Sequence, residues 1–169
     1  MKKTRERALQ GALAAALAAP AGAAAQGWAF NVYGASYHVD RAAARERQFE
    51  EFNPGLALRY EWPNRAFAEA GAYRDSGGAT ARFATLGYQW RRGSLRAGGG
   101  LAVLSSPTYN DGRTFAAPLP VLSYDFGPVM LNAVYFPRVT RYSALETFGF
   151  YLTVPLGRAG QSAAKLGPA

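Results

Sequence analysis

The sequence predicts an all-β fold, an eight-stranded antiparallel up-and-down transmembrane β-barrel. Alternation of large apolar and small or polar residues with period two recurs about eight times after residue 25, and no window keeps a helical period. Each alternating segment is about ten residues long, which matches a strand that crosses a bilayer at a tilt. Aromatic residues gather near strand ends, as they do at the two interfaces of membrane barrels.

The first 25 residues predict a secretory signal peptide. Four basic residues lie within the first seven positions, an alanine-rich apolar stretch follows, and Ala23 and Ala25 have the spacing of a cleavage site. The apolar stretch is about a dozen residues long, too short for the roughly 20 that a membrane-spanning helix needs. We therefore expect the barrel to occupy residues 26–157 and the low-complexity residues 158–169 to form a disordered tail.

Composition narrows the classes of function. Removing the four basic residues and one acidic residue of the predicted signal lowers the formal charge from +8 to +5. This excess is spread along the chain without a nucleic-acid motif, so no nucleic-acid partner is expected, and an anionic membrane surface suits the charge better. The chain has no cysteine and His38 is its only histidine, so no metal site is expected.

Turn residues divide the remaining chain into eight segments. The joints "PNR", "RRG" and "FGP" predict tight turns, whereas 39–51, 106–117 and 138–144 are long or polar, and 76–79 is short. Short and long connections thus nearly alternate, as in an up-and-down membrane barrel. The predicted strands are Trp28 to His38, Phe52 to Trp62, Ala66 to Asp75, Thr80 to Trp90, Ser94 to Ser105, Leu119 to Phe126, Val129 to Phe136 and Leu145 to Leu156.

The two faces of these strands decide between a membrane barrel and a soluble one. In "FNPGLALRYEW" the large apolar residues share one face, and small or charged residues share the other. A soluble lipocalin-like barrel, the alternative, would put the large residues inside and overfill a narrow interior. A membrane barrel puts them outside and the polar face inside. Because isolated buried charges are very costly, we expect a paired interior network of Arg59, Glu61, Glu69, Gln89 and Arg96.

Three candidate catalytic residues are expected at one rim. His38 ends the first predicted strand, while Asp75 and Ser76 follow the third, so an up-and-down order brings them to the same, outward-facing end. A histidine, a carboxylate and a hydroxyl are the minimum set for acyl transfer, with the imidazole taking the proton of an attacking hydroxyl. No G-x-S-x-G elbow surrounds Ser76, and the alternative is that the histidine is a solvated loop residue.

The ordered stretches "SYHVDR", "YRDS", "LGYQW", "PLPVLSYDFGPV" and "VYFP" resemble the PagP family of lipid A acyltransferases. The resemblance covers about residues 33–154. It implies a bacterial outer-membrane barrel that moves a fatty acyl chain from a glycerophospholipid to lipid A and acts without a cofactor. We also expect a monomer. By position, His38 is similar to the family's catalytic histidine, and Asp75 and Ser76 to its catalytic Asp-Ser pair.

The same resemblance assigns roles to prolines and to Gln89. Proline weakens a strand ladder, and Pro54, Pro118 and Pro137 are similar to the prolines beside the family's lateral openings for lipid. Gln89 stands where the family has a small residue at the floor of the acyl-chain slot. A bulkier floor implies a preference for acyl chains shorter than palmitate, or no tunnel at all.

The chain departs from the family in several ways. Only two residues separate the predicted cleavage site from Trp28, which leaves no room for the family's amphipathic helix, and the predicted tail continues past the last strand. Two alternatives to acyl transfer stay open, a non-catalytic barrel with a binding or structural role and a lipid A deacylase. The acceptor and the role of Ser76, as nucleophile or as orienting group, are also open.

Overall fold

A computed structural model describes residues 27–139, 143 and 145–156 of the chain. The predicted signal peptide and the predicted C-terminal tail lie outside these residues. The described part of the chain contains eight long strands, one short helix and one 3-10 turn. The strands are β1 Gly27–His38, β2 Phe52–Glu61, β3 Ala66–Arg74, β4 Thr80–Arg92, β5 Leu95–Ser105, β6 Phe115–Asp125, β7 Met130–Phe136 and β8 Thr147–Pro155.

The strands form one closed barrel. Each strand pairs antiparallel with the next in sequence, and β8 pairs with β1. This confirms the predicted fold, an eight-stranded antiparallel barrel with up-and-down order. Closure gives every strand a paired neighbour on both sides, so no strand has a wholly open edge.

Most strand ends lie within two residues of those predicted, and two features differ more. The first long connection contains a short helix, α1 (Arg41–Glu46), whose first turn is capped by Asp40, since its carboxylate accepts the Ala43 N–H at 2.9 Å. Strand β6 begins at Phe115 rather than at residue 119, and Pro118 and Pro120 lie within it opposite β5. Proline has no N–H to donate to a ladder, and this stretch of β6 has no pairing with β7 that would need one.

The outer surface of the barrel is strongly apolar. Leu56, Leu86 and Trp90 each expose about two thirds of their surface (61%, 66% and 66%). The same face carries Trp28, Phe30, Val32, Phe52, Leu58, Leu101, Leu122, Tyr124, Leu131, Phe148 and Val154, all exposed. The aromatic and leucine faces therefore point outward, opposite to the arrangement of a soluble barrel.

Two arginines pair with carboxylates inside the barrel, as predicted. The Arg59 guanidinium lies 3.4 Å from Glu61 and 3.5 Å from Glu69, and it donates to the Gln89 side-chain carbonyl at 2.9 Å. Arg96 donates to both oxygens of Glu61 at 2.8 and 2.9 Å. This confirms the predicted interior network of these five residues.

The network extends into a closed ring of hydrogen bonds, here called the polar belt. From Arg59 it passes through Gln89 to Ser123 (2.8 Å), Asn132 (2.7 Å), Thr153 (2.9 Å), Asn31 (2.7 Å) and Glu69 (2.7 Å), which returns to Arg59. Every step has a defined donor and acceptor, and seven of the eight strands contribute a residue. Among the buried polar side-chain atoms of this ring only the Arg59 Nε lacks a partner, and a network with so few unpaired groups is far more stable than a poorly satisfied one.

Above the polar belt, on the side nearer His38, lies an aromatic layer. It consists of Tyr33, Tyr73, Phe83 and Tyr151, whose neighbouring ring centroids are 4.7 to 5.9 Å apart. The layer and the belt together fill the middle of the barrel.

Replacing Arg59 by methionine should strongly destabilise the barrel, because it leaves Glu69 and the other acceptors of the polar belt buried without their cation. Loss of one partner of a buried ion pair costs about 3–5 kcal/mol. Arg74→Met is the matched control, since Arg74 pairs with Glu50 on the surface (3.2 Å) and exposed pairs contribute about 0–1 kcal/mol. Urea unfolding of the purified barrels measures both, and equal losses would contradict the importance of the belt.

Candidate functional site

An irregularity in β1 turns the histidine into the barrel. Up to Tyr33 the odd-numbered residues of β1 face the interior, whereas beyond Gly34 the even-numbered Ser36 and His38 do. The register with β8 shifts between Tyr33 and Ala35, which shows that the strand accommodates an extra residue there. Without this shift, strict alternation would point the His38 side chain outward.

His38 and Ser76 form a hydrogen-bonded pair. His38 Nε2 lies 3.1 Å from Ser76 Oγ, and both residues are buried. On the other side of the ring, His38 Nδ1 lies 2.9 Å from Thr147 Oγ1, and the Thr147 hydroxyl itself donates to the Leu145 carbonyl at 3.3 Å. Thr147 therefore accepts the Nδ1 proton, which leaves Nε2 as the acceptor that faces the Ser76 hydroxyl. The pair has the arrangement of a nucleophile or bound hydroxyl beside its general base.

Asp75 is turned away from the histidine. Its Oδ1 accepts the backbone N–H groups of Gly77 (3.0 Å) and Ala79 (2.9 Å) and the Thr108 hydroxyl (3.0 Å), and its Oδ2 accepts the Ser106 hydroxyl. These bonds tie the turn after β3 to the loop after β5. The structure thus brings two of the three predicted catalytic residues together and places Asp75 beside them as an anchor of the backbone that carries Ser76.

A tyrosine of the β5–β6 loop also lies close to this carboxylate. Burial, and to a smaller extent the nearby Asp75 carboxylate, raises the pKa of Tyr109 to about 12. The phenol therefore stays protonated near neutral pH and acts only as a neutral hydrogen-bonding group.

Beneath the Ser76–His38 pair lies an apolar cavity of about 230 Å³. Its walls are side chains of β5 to β8, chiefly Leu104, Phe115, Leu119, Val134 and Phe136. Tyr33 and Tyr73 of the aromatic layer separate it from a much smaller cavity of about 30 Å³ below. The aromatic layer thus lies between the large cavity and the polar belt.

The cavity reaches the barrel wall between β6 and β7. The two strands pair only from Val121 opposite Val134 downward, although both continue further toward the rim. Pro118 and Pro137 line the cavity at this unpaired stretch. Since proline has no N–H to donate, these residues suit a place where the ladder stops.

The irregularity in β1 also affects its pairing with β2, beside Pro54. The β1–β2 register shifts between Tyr33 and Ala35, where Asn53 and Pro54 stand opposite Gly34. Pro54 is exposed on the outer face of β2, while Asn53 points inward and lines the cavity.

Gln89 points into the barrel, where it belongs to the polar belt. Its amide donates to Ser123 and its carbonyl accepts from Arg59. Gln89 lines neither the large cavity nor the smaller one beneath it, and the floor of the large cavity consists of Tyr33 and Tyr73. That Gln89 forms the floor of an acyl-chain slot stays a prediction. The aromatic layer lies between Gln89 and the large cavity.

Three residues of the site were missed from sequence, namely Thr147, Ser106 and Asn53. Strand parity would have placed Thr147 inward, since Gly149 and Tyr151 share its face. Ser106 follows β5 without a distinguishing motif, so nothing in the sequence marks it as a partner of Asp75.

No family model and no curated protein matches the chain. Among the described residues, no group of three or more His, Cys, Asp or Glu side chains is arranged to hold a metal ion. No helix within the described ranges is long and apolar enough to span a bilayer.

Asp75→Ala should destabilise the barrel, because four donors lose their acceptor. Leaving a buried donor unsatisfied costs about 1–3 kcal/mol, and of the four donors only Ser106 is fully buried, so a loss of about 1–3 kcal/mol and easier proteolysis of residues 106–114 are expected. Ser76→Ala is the control: it removes only the contacts to His38 and Ser36, and a change within about 1 kcal/mol is expected. Stability equal to that of the unchanged protein in Asp75→Ala would contradict the anchoring role.

Proposed function

We propose that this protein is a bacterial outer-membrane acyltransferase that moves a fatty acyl chain from a glycerophospholipid to lipid A. The observation that carries the proposal is the Ser76–His38 pair, with its Nε2 free to accept a proton, at the rim of an apolar cavity that reaches the barrel wall. A hydroxyl beside a neutral imidazole is equipped to attack an ester carbonyl. An apolar slot directly below is equipped to hold the acyl chain of that ester.

The apolar exterior supports placement in a membrane. Large hydrophobic side chains cover the outside, and all charged groups of the barrel centre are paired inside. Exposed apolar surface of this extent is unfavourable in water and favourable against hydrocarbon. Closure also pairs each strand with both neighbours over most of its length, which a segment in lipid requires.

The chemistry assigned to the pair follows from its hydrogen bonds. His38 Nε2 takes the proton of the hydroxyl that attacks the ester carbonyl carbon, either that of Ser76 or that of the acceptor held by it. Thr147 holds the ring in the required tautomer from the Nδ1 side. When the tetrahedral intermediate collapses, the histidine returns the proton to the leaving alkoxide of the glycerophospholipid. If Ser76 is the attacking group, the acceptor hydroxyl then attacks the acyl-serine ester, gives its proton to His38, and the proton returns to Ser76 as the acyl group leaves it.

The unpaired stretch between β6 and β7 supports lateral entry of lipid. An acyl chain can pass there from hydrocarbon to cavity without crossing a continuous ladder, beside Pro118 and Pro137. The irregularity at Pro54 is the corresponding candidate for the other lipid. Lateral entry keeps both acyl chains away from water throughout transfer.

The aromatic layer limits the length of chain that fits. Tyr33 and His38 pair with Tyr151 and Thr147 of β8, which are four residue steps apart. This corresponds to about 13 Å along a strand and about 10 Å along the axis of a barrel with strands tilted by about 40°. Half of a bilayer's hydrocarbon core is about 15 Å thick. A slot of this depth favours chains shorter than those that fill a whole leaflet.

His38→Ala and Ser76→Ala should each abolish acylation of lipid A while leaving a folded barrel. The first variant removes the base and the second removes the hydroxyl that it serves. Mass spectrometry of lipid A from cells that produce each variant measures the product. Ser94→Ala, in an exposed turn at the opposite rim, is the matched control and should keep full activity. Unmodified lipid A in cells with the unchanged protein would instead favour a non-catalytic barrel.

The unchanged protein should prefer donor chains shorter than palmitate, and Tyr33→Leu should shift the preference toward longer chains by joining the two cavities. Transfer from phospholipids of graded chain length measures both effects. Gln89→Gly is the informative comparison, because it tests whether the floor lies at the polar belt instead. A firm palmitate preference in the unchanged protein would contradict the short slot, and a shift only in Gln89→Gly would move the floor to Gln89.

A further inference from the structure

Asn53 is a buried amide without hydrogen-bond partners. Only 6% of its surface is exposed, and neither its Oδ1 nor its Nδ2 has a partner in the protein. The other unpaired buried side-chain atoms among the described residues are the Nε atoms of Arg59 and Arg96, whose guanidinium groups are bonded through their terminal nitrogens. Burying an unpaired amide costs about 1–3 kcal/mol, so such a group in a folded protein calls for an explanation.

Its position relates it to the site. Asn53 faces inward from β2 and lines the same cavity as Ser36, His38 and Ser76. The residues just above it on the chain contact the site directly, since the Glu51 carbonyl accepts the Ser36 N–H at 2.9 Å and Glu50 donates its N–H to the Ser76 carbonyl at 2.9 Å. The amide therefore stands below the hydroxyl pair, on the side where the acyl chain would lie.

The backbone donors after Ser76 are already occupied. In many serine enzymes the N–H groups next to the nucleophile stabilise the negative oxygen of the tetrahedral intermediate. Here Gly77 and Ala79 donate to the Asp75 side chain, and Gly78 donates to the Asp75 carbonyl at 3.0 Å. A donor for that oxygen has to come from elsewhere, and the Asn53 Nδ2 has no partner in the protein and belongs to a residue that lines the same cavity as Ser76.

We infer that Asn53 stabilises the oxyanion in acyl transfer by donating a hydrogen bond from its amide to the carbonyl oxygen of the donor ester. The inference rests on the proposed function. As the attacking hydroxyl forms its C–O bond, its proton goes to His38 Nε2 and the carbonyl electron pair moves onto the oxygen that Asn53 binds. Collapse restores the carbonyl, breaks the C–O bond to glycerol, and returns the proton from His38 to the departing alkoxide.

The amide group suits this task chemically. It is neutral, so it does not compete with the paired charges of the polar belt, and it donates without a change of protonation state. In an apolar cavity a donor of this kind acts at low effective dielectric, where it stabilises developing charge more strongly than in water.

The test measures acyl transfer by purified protein in mixed micelles of a short-chain diacyl phosphatidylethanolamine and lipid A. Asn53→Leu, close in size, and Asn53→Ala each remove the donor, and kcat should fall about 100- to 1,000-fold with little change in KM. Because the amide makes no bond in the folded protein, neither variant should unfold at lower urea concentration. Asn64→Ala, in an exposed turn at the opposite rim, is the control and should keep wild-type kcat.

The outcomes separate this inference from the proposed function. Activity within about threefold of wild type in both Asn53 variants, together with loss of activity in Ser76→Ala, overturns the role of Asn53 alone. Absence of transfer by the wild-type protein overturns both. A fall in urea midpoint that matches the fall in activity would show a structural role and also overturn the inference.

Discussion

The polar belt is the constraint on which the rest of the barrel depends. An eight-stranded barrel has an interior just wide enough for side chains, so a charge placed there has no water to solvate it. Arg59 is therefore compatible with the fold only because Glu61, Glu69 and Gln89 accept its hydrogen bonds. The ring of bonds that continues through the other strands leaves no space for a ligand at this level. Any cavity must lie above it or below it.

The cavity lies above the belt because the inward-facing rows of side chains become apolar toward the rim. The rows run from the polar belt to the aromatic layer and then to aliphatic residues of β5 to β7. At the rim they end in His38, Ser76 and Thr147. Because the groups follow in the order polar, aromatic, aliphatic and again polar, the upper half of the barrel contains an apolar cavity with hydrogen-bonding side chains at its rim. The register shift at Gly34 completes it by turning the histidine inward.

The sequence predicted the barrel because strand alternation depends on local residue pattern, which is visible without tertiary contacts. The phase of "FNPGLALRYEW" placed Arg59 and Glu61 inside correctly for this reason. Helix α1 was missed because six residues are too few to establish a helical period, and the Asp40 cap alone is a weak signal. The start of β6 was misplaced because proline has no N–H to donate. Pro118 and Pro120 fit this strand, which pairs with β5, because β7 is not paired with it at their level, and that is a tertiary property.

The site shows the same division between local and tertiary information. Strand order, which residue pattern predicts, brings His38 and Ser76 to the same rim, whereas the register shift at Gly34 that turns the imidazole inward toward Ser76 is a tertiary property. That Asp75 turns toward Ser106 and Thr108 depends on where the β5–β6 loop folds, and the chain carries no motif for it. The partner of the histidine is consequently a hydroxyl and not a carboxylate. A carboxylate both orients a histidine and stabilises its protonated form, whereas the Thr147 hydroxyl only orients it.

A histidine oriented by a hydroxyl is a weaker base than one paired with a carboxylate. Under the proposed function, the positioning of both lipids by the membrane compensates for the weaker base. Donor and acceptor lipids share one hydrocarbon phase with the cavity, and lateral entry converts their encounter with the site into a nearly intramolecular event. Positioning of this kind can supply a large part of a barrier reduction without a stronger base. The acyl slot then contributes orientation by fixing the ester at the rim, level with the pair. Under the proposed function, the depth at which Tyr33 and Tyr73 end the slot beneath His38 has two effects. It sets the length of acyl chain that binds, and it sets where the ester of that chain lies relative to the pair.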